Sequence, residues 1–127
     1  MKFKWIDGLP FVSAALTVEN QQLQFNNVLI DTGAASSVFC TDKLFEFGLG
    51  LQPTDIVLEM AGIGGSERVF QRTVNSIQFG EILVNNPTVQ FGEMDYGFDI
   101  DGIIGVDILV AAPVLIDFLK DEILISN

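Results

Sequence analysis

Short apolar or alternating segments, separated by turn residues about every eight to twelve positions, recur along the whole chain. This spacing is typical of a sandwich or barrel of many short strands and leaves room for little helix. Short helices are predicted only at 41–47, where Thr41 is the expected capping residue, and at about 106–110. The predicted strands are 11–18, 23–30, 38–40, 56–60, 68–74, 76–79, 81–84, 88–91, 103–104, 114–118 and 122–125.

Length, composition and charge limit the possible partners. The chain has 127 residues, of which 49% are apolar, so a single domain spanning 1–127 can bury a sizeable core. A total of 17 acidic and 6 basic residues gives a net charge of −11, which repels phosphate backbones and anionic lipid. We therefore expect neither nucleic acid nor a membrane as a partner. Because no signal peptide or sufficiently long apolar run is recognisable, the expected location is cytoplasmic.

The chain contains no histidine, which removes several catalytic classes at once. Ser-His-Asp and Cys-His catalysis and HExxH zinc sites all need an imidazole. The single cysteine, Cys40, cannot form an intrachain disulfide or a thiolate metal cage, and it is expected to behave as a small buried side chain. If the chain is an enzyme, carboxylates are expected to supply its acid and base, since Lys and Tyr are scarce.

Asp31 is the candidate reactive carboxylate. It follows three aliphatic residues, 28–30, whose lack of alternation predicts a strand buried on both faces. A carboxylate at the end of such a strand loses solvation and needs compensating protein donors. Thr32 offers a hydroxyl and an N–H, Gly33 allows a sharp turn that brings its own N–H close, and Ala34 is too small to block approach. Taken alone, an Asp-Thr-Gly tripeptide is more often a simple Asx turn.

Two glycine-containing segments further along favour a functional interpretation of Asp31. Gly62-Ile63-Gly64-Gly65 is predicted at the tip of a hairpin, where glycines let the backbone lie close against a ligand. Asp101-Gly102-Ile103-Ile104-Gly105 delivers an apolar pair to a glycine, which permits close packing of one chain segment across another. All three motifs in this order, in a β domain of this length, form a specific pattern.

The pattern resembles a known family. Leu29-Ile30-Asp31-Thr32-Gly33-Ala34-Ala35-Ser36-Ser37-Val38 resembles the active-site segment of retropepsin-like aspartic proteases, and Gly62-Ile63-Gly64-Gly65 resembles their flap. Asp101-Gly102-Ile103-Ile104-Gly105-Val106-Asp107-Ile108-Leu109 is similar to their second signature. The resemblance covers about 9–125 and is greatest for the single-domain bacterial and retroelement type. It implies an all-β, closed acid-protease barrel with one or two short helices.

The resemblance also implies a homodimeric aspartic endopeptidase without a cofactor or metal. One Asp-Thr-Gly per chain is half of an active site, so two copies are expected to place their Asp31 carboxylates together and activate one water. Thr32 would then lock the two loops together, and Gly33 would present backbone donors. The expected contacts to a peptide substrate are Ala34 and Ala35 in the cleft floor, with Ile63, Gly64 and Gly65 in the flap. The segments 1–6 and 123–127 are candidates for the dimer interface.

Some features leave alternatives open. Ala35 stands where viral relatives have an acid that holds the substrate backbone, so a weak or inactive domain that serves dimerisation or peptide binding is the second interpretation. The acids between positions 93 and 107 fit a calcium loop poorly, because Gly97 and Ile108 occupy ligand positions, and they are interpreted as solvated surface. Arg68 and Arg72, four residues apart, are also interpreted as solvated and on one side of their strand.

Overall fold

The architecture is that of a mostly β protein, as the sequence predicts. A computed structural model describes residues 1–62, 65–95 and 99–126, with residues 60–62 and 65–67 described by their backbone pairing only. The strands are β1 (Lys4–Ile6), β2 (Leu9–Val18), β3 (Gln21–Ile30), β4 (Val38–Cys40), β5 (Ile56–Gly62), β6 (Gly65–Thr73), β7 (Ser76–Phe79), β8 (Ile82–Asn85), β9 (Thr88–Gly92), β10 (Gly102–Ile104), β11 (Val114–Asp117) and β12 (Glu122–Ile125). The helices are α1 (Thr41–Glu46) and α2 (Val106–Leu109).

One large sheet contains most of the strands. Its hydrogen-bonded order is β5-β6-β9-β4-β10-β3-β2-β7-β8, with β1 on β2, while β11 and β12 form a separate hairpin. Strand β10 pairs parallel with β3, and β4 pairs parallel with β9, whereas the other neighbours are antiparallel. Over the described ranges no pairing joins β5 to β8, so the closed barrel of the sequence analysis is not confirmed.

The expected role of Thr41 as a helix cap is wrong. Strand β4 leads directly into α1, so the last strand residue, Cys40, occupies the N-cap position in an extended conformation. Thr41 is already the first helical residue, and the cap position has no side-chain hydrogen bond. The helix therefore starts from the geometry of the strand that precedes it.

The three strands around Asp31 contact apolar side chains on both faces. Val28 and Ile30 of β3 and Ile104 of β10 pack in the main core. A second apolar cluster, built on Phe11, Met94 and Ile100, lies on the other side and is contacted by half-buried Leu29, Val38, Cys40 and Ile103. The expectation drawn from the unbroken aliphatic run 28–30 is therefore confirmed for Val28 and Ile30, whereas Leu29 is half-buried.

A buried ion pair holds the loop between α1 and β5. The Arg72 guanidinium donates to both carboxylate oxygens of Asp55, at 2.8 and 2.6 Å, and to the carbonyl oxygens of Leu49 and Gly50 at 2.8 and 2.9 Å. The Arg72 and Asp55 side chains are only 8% and 2% exposed. Such a bidentate, fully hydrogen-bonded pair is the geometry in which a buried charge is tolerated.

The expectation that both arginines are solvated is therefore correct for Arg68 and wrong for Arg72. Strand β6 pairs with β9 only from Val69 to Thr73, so Arg72 lies over the core, where its guanidinium carbon is 5.4 Å from the centre of the Phe70 ring. Arg68 lies in the part of the hairpin that pairs only with β5, and its side chain is 80% exposed.

Replacing Arg72 by Met should lower the free energy of unfolding by about 3 kcal/mol, because it leaves the Asp55 carboxylate buried without its partner. Arg72 lowers the pKa of Asp55 by hydrogen bonding, so the pair stabilises the protein above the pKa of the unfolded chain and loses its effect as pH falls through the folded value. The difference between wild type and variant should consequently shrink below about pH 4. Urea denaturation across pH measures both effects.

The matched control is Arg68→Met. Arg68 approaches Glu59 only to 4.0 Å, with both side chains largely exposed, so this substitution should change the free energy of unfolding by less than about 0.5 kcal/mol. Equal losses for the two variants would show that the Asp55 pair does not hold the loop.

Candidate active site

Asp31 stands where β3 ends, between the two clusters of apolar side chains. Its backbone N–H donates to the carbonyl oxygen of Ile104 at 2.9 Å, which continues the parallel pairing of β3 with β10 by one residue. The side chain is half-buried. Asp31 is therefore held by the sheet itself rather than by a free loop.

The turn after Asp31 solvates its carboxylate with a backbone donor. The N–H of Gly33 donates to Oδ1 of Asp31 at 2.9 Å, and the N–H of Ala34 donates to the Asp31 carbonyl at 3.2 Å. A β-carbon at position 33 would lie 3.3 Å from Oδ1, so a side chain there would crowd the carboxylate. Thr32 is exposed, and within the described part of the chain its hydroxyl makes no hydrogen bond to Asp31.

Gly105 passes directly against this turn. A β-carbon on Gly105 would lie 2.5 Å from the carbonyl oxygen of Ala34 and 3.1 Å from that of Ser36, both backbone atoms. The next residue, Val106, donates its N–H to the same Ala34 oxygen at 2.9 Å. The close crossing at Gly105 that the sequence predicts is therefore confirmed.

A second set of hydrogen bonds at this crossing was missed by the sequence analysis. The hydroxyl of Ser37, which is fully buried, donates to Oδ1 of Asp107 at 2.7 Å and accepts the N–H of Gly105 at 2.9 Å. The other Asp107 oxygen accepts the Ser37 N–H at 3.0 Å. Asp107 therefore ties the start of α2 to the end of the Asp31 turn. Its position two residues after Gly105, in the first turn of a predicted helix, was the available signal.

The remaining predicted site residues are only partly placed. Ala34 is half-buried beneath the crossing, and Ala35 is exposed. Ile63 and Gly64 lie outside the described residues, while Gly65 opens β6 and its backbone pairs with that of Gly62. The predicted glycine-rich turn therefore falls between two paired strands, and no contact with Asp31 is described for it.

Two acids just before β10 stabilise the fold. Oδ2 of Asp101 accepts the backbone N–H groups of Asn26 and Asn27, at 3.1 and 3.0 Å, and Oδ2 of Asp99 accepts the Asn27 side-chain amide at 2.9 Å. These bonds fasten the entry of β10 to β3. Among the side chains that the structure describes, those of 1–59, 68–95 and 99–126, no group of three or more acidic or cysteine side chains could hold a metal ion.

Cys40 contributes to packing at the end of β4. It is half-buried against the second apolar cluster, and burial raises the pKa of its thiol. A thiol held protonated in this way is a poor nucleophile.

As for the helices, none in the described part of the chain is long and apolar enough to cross a bilayer.

Comparison with known structures defines the class of the fold. The chain is similar to a retropepsin-like aspartic protease from Rickettsia conorii, with a TM-score of 0.66 and 22% identity, over 97% of this chain and 95% of that one. A family model described as aspartyl protease matches residues 14–108, which include the Asp31 turn and the Gly105 crossing. The chain belongs to the aspartyl protease family. A search of curated proteins finds no match.

Replacing Ser37 by Ala should lower the free energy of unfolding by about 2 kcal/mol, because it leaves the buried Gly105 N–H without an acceptor and removes the hydroxyl donor to Oδ1 of Asp107. Urea denaturation measures the loss. The control is Ser36→Ala, since no hydrogen bond of the Ser36 hydroxyl is described; it should cost less than about 0.5 kcal/mol. A Ser37 variant as stable as wild type would show that these hydrogen bonds do not stabilise the site.

Proposed function

We propose that this protein is a homodimeric aspartic endopeptidase whose catalytic carboxyls are Asp31 of one protomer and the same residue of its partner. Membership of the aspartyl protease family supports proteolysis as the activity. The observation that carries the residue assignment is the Asp31 carboxylate on a turn held from two sides, by the Gly33 N–H and by the Gly105 crossing. Two copies are needed because the chain has a single Asp-Thr-Gly.

Two carboxyls brought this close share one proton, because ionising both places like charges side by side. The ionised carboxylate takes a proton from a water while the water oxygen bonds to the scissile carbonyl carbon, and the protonated partner gives its proton to the carbonyl oxygen. In the second step the carboxyl that took the water proton gives it to the amide nitrogen as the C–N bond breaks, and a hydroxyl of the tetrahedral intermediate returns its proton to the partner carboxylate. Gly33 supplies the backbone donor that compensates the charge on Asp31.

The substrate is expected to lie extended between the Asp31 turn and the β5–β6 hairpin. Ala34 and Ala35 would form the floor, and Ile63, Gly64 and Gly65 would pair with the peptide backbone as a strand does. Thr32, whose side chain is exposed, is free to meet its counterpart in a second copy. The missing acid at Ala35 favours the alternative of a peptide-binding or dimerisation module with little hydrolysis.

The chain termini offer a surface for the second copy. The amino group of Met1 donates to the Ile123 carbonyl at 2.8 Å, and the Ile123 N–H donates to the Met1 carbonyl at 2.9 Å, so the first residues lie beside β12. Among the described strands β11 pairs only with β12, which leaves its outer edge open. Large apolar side chains are exposed around this edge: Trp5, Leu115, Phe118 and Leu119. We propose that the two-fold interface forms here.

Replacing Asp31 by Asn should reduce cleavage of an unfolded protein by at least about 10²-fold while the variant stays dimeric, because the amide cannot act as acid or base. Mixing wild type with this variant should then show whether two Asp31 carboxyls, one from each protomer, form one active site. If protomers exchange, equal amounts of wild type and variant should roughly halve the activity per wild-type chain, because mixed dimers hold one catalytic carboxyl.

The control for the mixing experiment is Glu81→Gln, an exposed change of charge in the β7–β8 turn. Wild type mixed with this variant should keep its full activity. Undiminished cleavage by the Asp31 variant would refute the catalytic assignment. Peptide capture without turnover by the wild type across pH would favour the binding module instead.

The proposed interface predicts that Trp5→Ser combined with Leu119→Ser shifts the protein toward monomer. Leu119 is 98% exposed and Trp5 is 46% exposed, with its ring centre 6.1 Å from that of Phe118, so both changes remove apolar area from the surface. Light scattering at several concentrations measures the change in mass, and activity per chain should fall with it. Leu51→Ser, an exposed leucine in the loop before β5, is the control and should leave the mass unchanged. An unchanged dimer in the double variant would place the interface elsewhere.

A further inference from the structure

The face of the sheet that carries Asp31 continues across several strands. Side chains alternate between the faces of a strand, so Asp31 points to the same side as Leu29, away from the main core that holds Val28 and Ile30. Leu29 pairs with Ile103 across β3 and β10, and Ile103 pairs with Val38 across β10 and β4. These apolar neighbours share one face with the catalytic carboxyl.

Gln90 is the next residue in this series of cross-strand neighbours. Val38 pairs with Gln90 across β4 and β9, and the N–H of Gln90 donates to the carbonyl oxygen of Ser37 at 3.0 Å. Its neighbours along β9, Val89 and Phe91, both pack in the main core. The Gln90 side chain therefore points to the opposite face, the one that carries Asp31.

The surroundings of the Gln90 side chain are largely apolar. On β6, Val69 lies on the same face, and its Cγ1 fills the space that a β-carbon on Gly92 would occupy, at 2.9 Å. Val38 flanks Gln90 on the other side. The polar cross-strand neighbour is Gln71, with which Gln90 makes no described hydrogen bond.

The carboxamide oxygen of Gln90 is buried without a partner. The residue is only 6% exposed, and Oε1 has no hydrogen-bond donor among the described residues. Leaving a buried acceptor unsatisfied is costly, so native structures seldom do it without a reason. A leucine would fill a comparable volume at this position without that cost. In the free protein the Gln90 Oε1 is therefore an acceptor without a donor among the described residues.

We propose that Gln90 is a specificity-determining residue, and that its Oε1 accepts a hydrogen bond from a hydroxyl or carboxamide side chain of the bound peptide. The proposal rests on the proposed function, because it takes the Asp31 face as the substrate cleft. An uncharged donor fits best, since an ammonium group would have to lose its hydration among Val38, Val69 and Ile103. A peptide with an aliphatic residue at this point leaves the acceptor unsatisfied and is discriminated against.

Strand spacing limits which substrate residue is involved. Strands β3 and β9 are three strand spacings apart, about 14 Å, and an extended peptide advances about 3.3 Å per residue. The donor side chain therefore lies within about four residues of the scissile bond. Scanning four positions on either side of that bond covers the possibilities.

The test uses peptides that differ only by a matched pair, Thr against Val or Asn against Leu, at each of these positions. The wild type should cleave the donor-bearing peptide about tenfold better, in kcat/KM, at one position, and Gln90→Leu should abolish or reverse that preference there alone. Gln71→Leu, on the same face but half-exposed, is the control and should keep the wild-type preference.

Two further measurements separate this proposal from the proposed function. The Asp31→Asn variant, with and without Gln90→Leu, should show the same preference and its loss in peptide binding, even if hydrolysis is never observed. The Tm of Gln90→Leu in the free protein should equal or exceed that of wild type. A binding profile unaffected by Gln90→Leu, or a Tm lowered by several degrees because the oxygen already bonds a trapped water, would overturn the proposal.

Discussion

The carbonyl oxygen of Ala34 lies so close to Gly105 that a β-carbon there would approach it to 2.5 Å, and the Val106 N–H donates to that same oxygen. This crossing joins two chain segments about seventy positions apart, the turn after β3 and the start of α2. Both segments directly follow strands that pair in parallel, β3 and β10, so the crossing fixes the ends of these strands in one relative position. The position of the Asp31 carboxylate therefore depends on this crossing.

Burial on both faces explains why the carboxylate can be held there. Strands β3, β4 and β10 have the main core on one side and the second apolar cluster on the other, so they cannot shift without exposing apolar area on both. Asp31 is the first residue beyond this doubly packed region, and Gly33 provides a donor where solvent has been partly removed. A rigid frame and a half-buried carboxyl are thus produced by the same arrangement.

The sequence predicted those parts of the fold and site that depend on local pattern. The aliphatic run 28–30, the donor role of the Gly33 N–H and the close approach at Gly105 all follow from residue type and neighbours along the chain. The Ser37–Asp107 network and the burial of Arg72 were missed because their partners lie 70 and 17 residues away in sequence. An isolated acid or arginine has the same local signature whether it is solvated or paired. The parallel pairings were missed for a similar reason, since strand order is not encoded in the length or alternation of any single strand.

Charge distribution bears on where two copies of so acidic a chain can meet. At −11 per protomer, association is opposed by repulsion that acts over about 8 Å at physiological salt. Of the six cations, Arg72 is neutralised internally by Asp55, whereas Lys2, Lys4 and Lys120 lie around the termini, where Lys2 pairs with Glu122 at 3.5 Å. The Lys2 ammonium reaches the Lys120 carbonyl at 2.7 Å, which keeps this basic group beside exposed Phe118 and Leu119. The terminal surface therefore combines exposed apolar side chains with three of the six cations, which offset the acids Asp117, Asp121 and Glu122 of the same hairpin. This combination reduces the electrostatic cost of bringing two such chains together and favours this surface for the proposed interface.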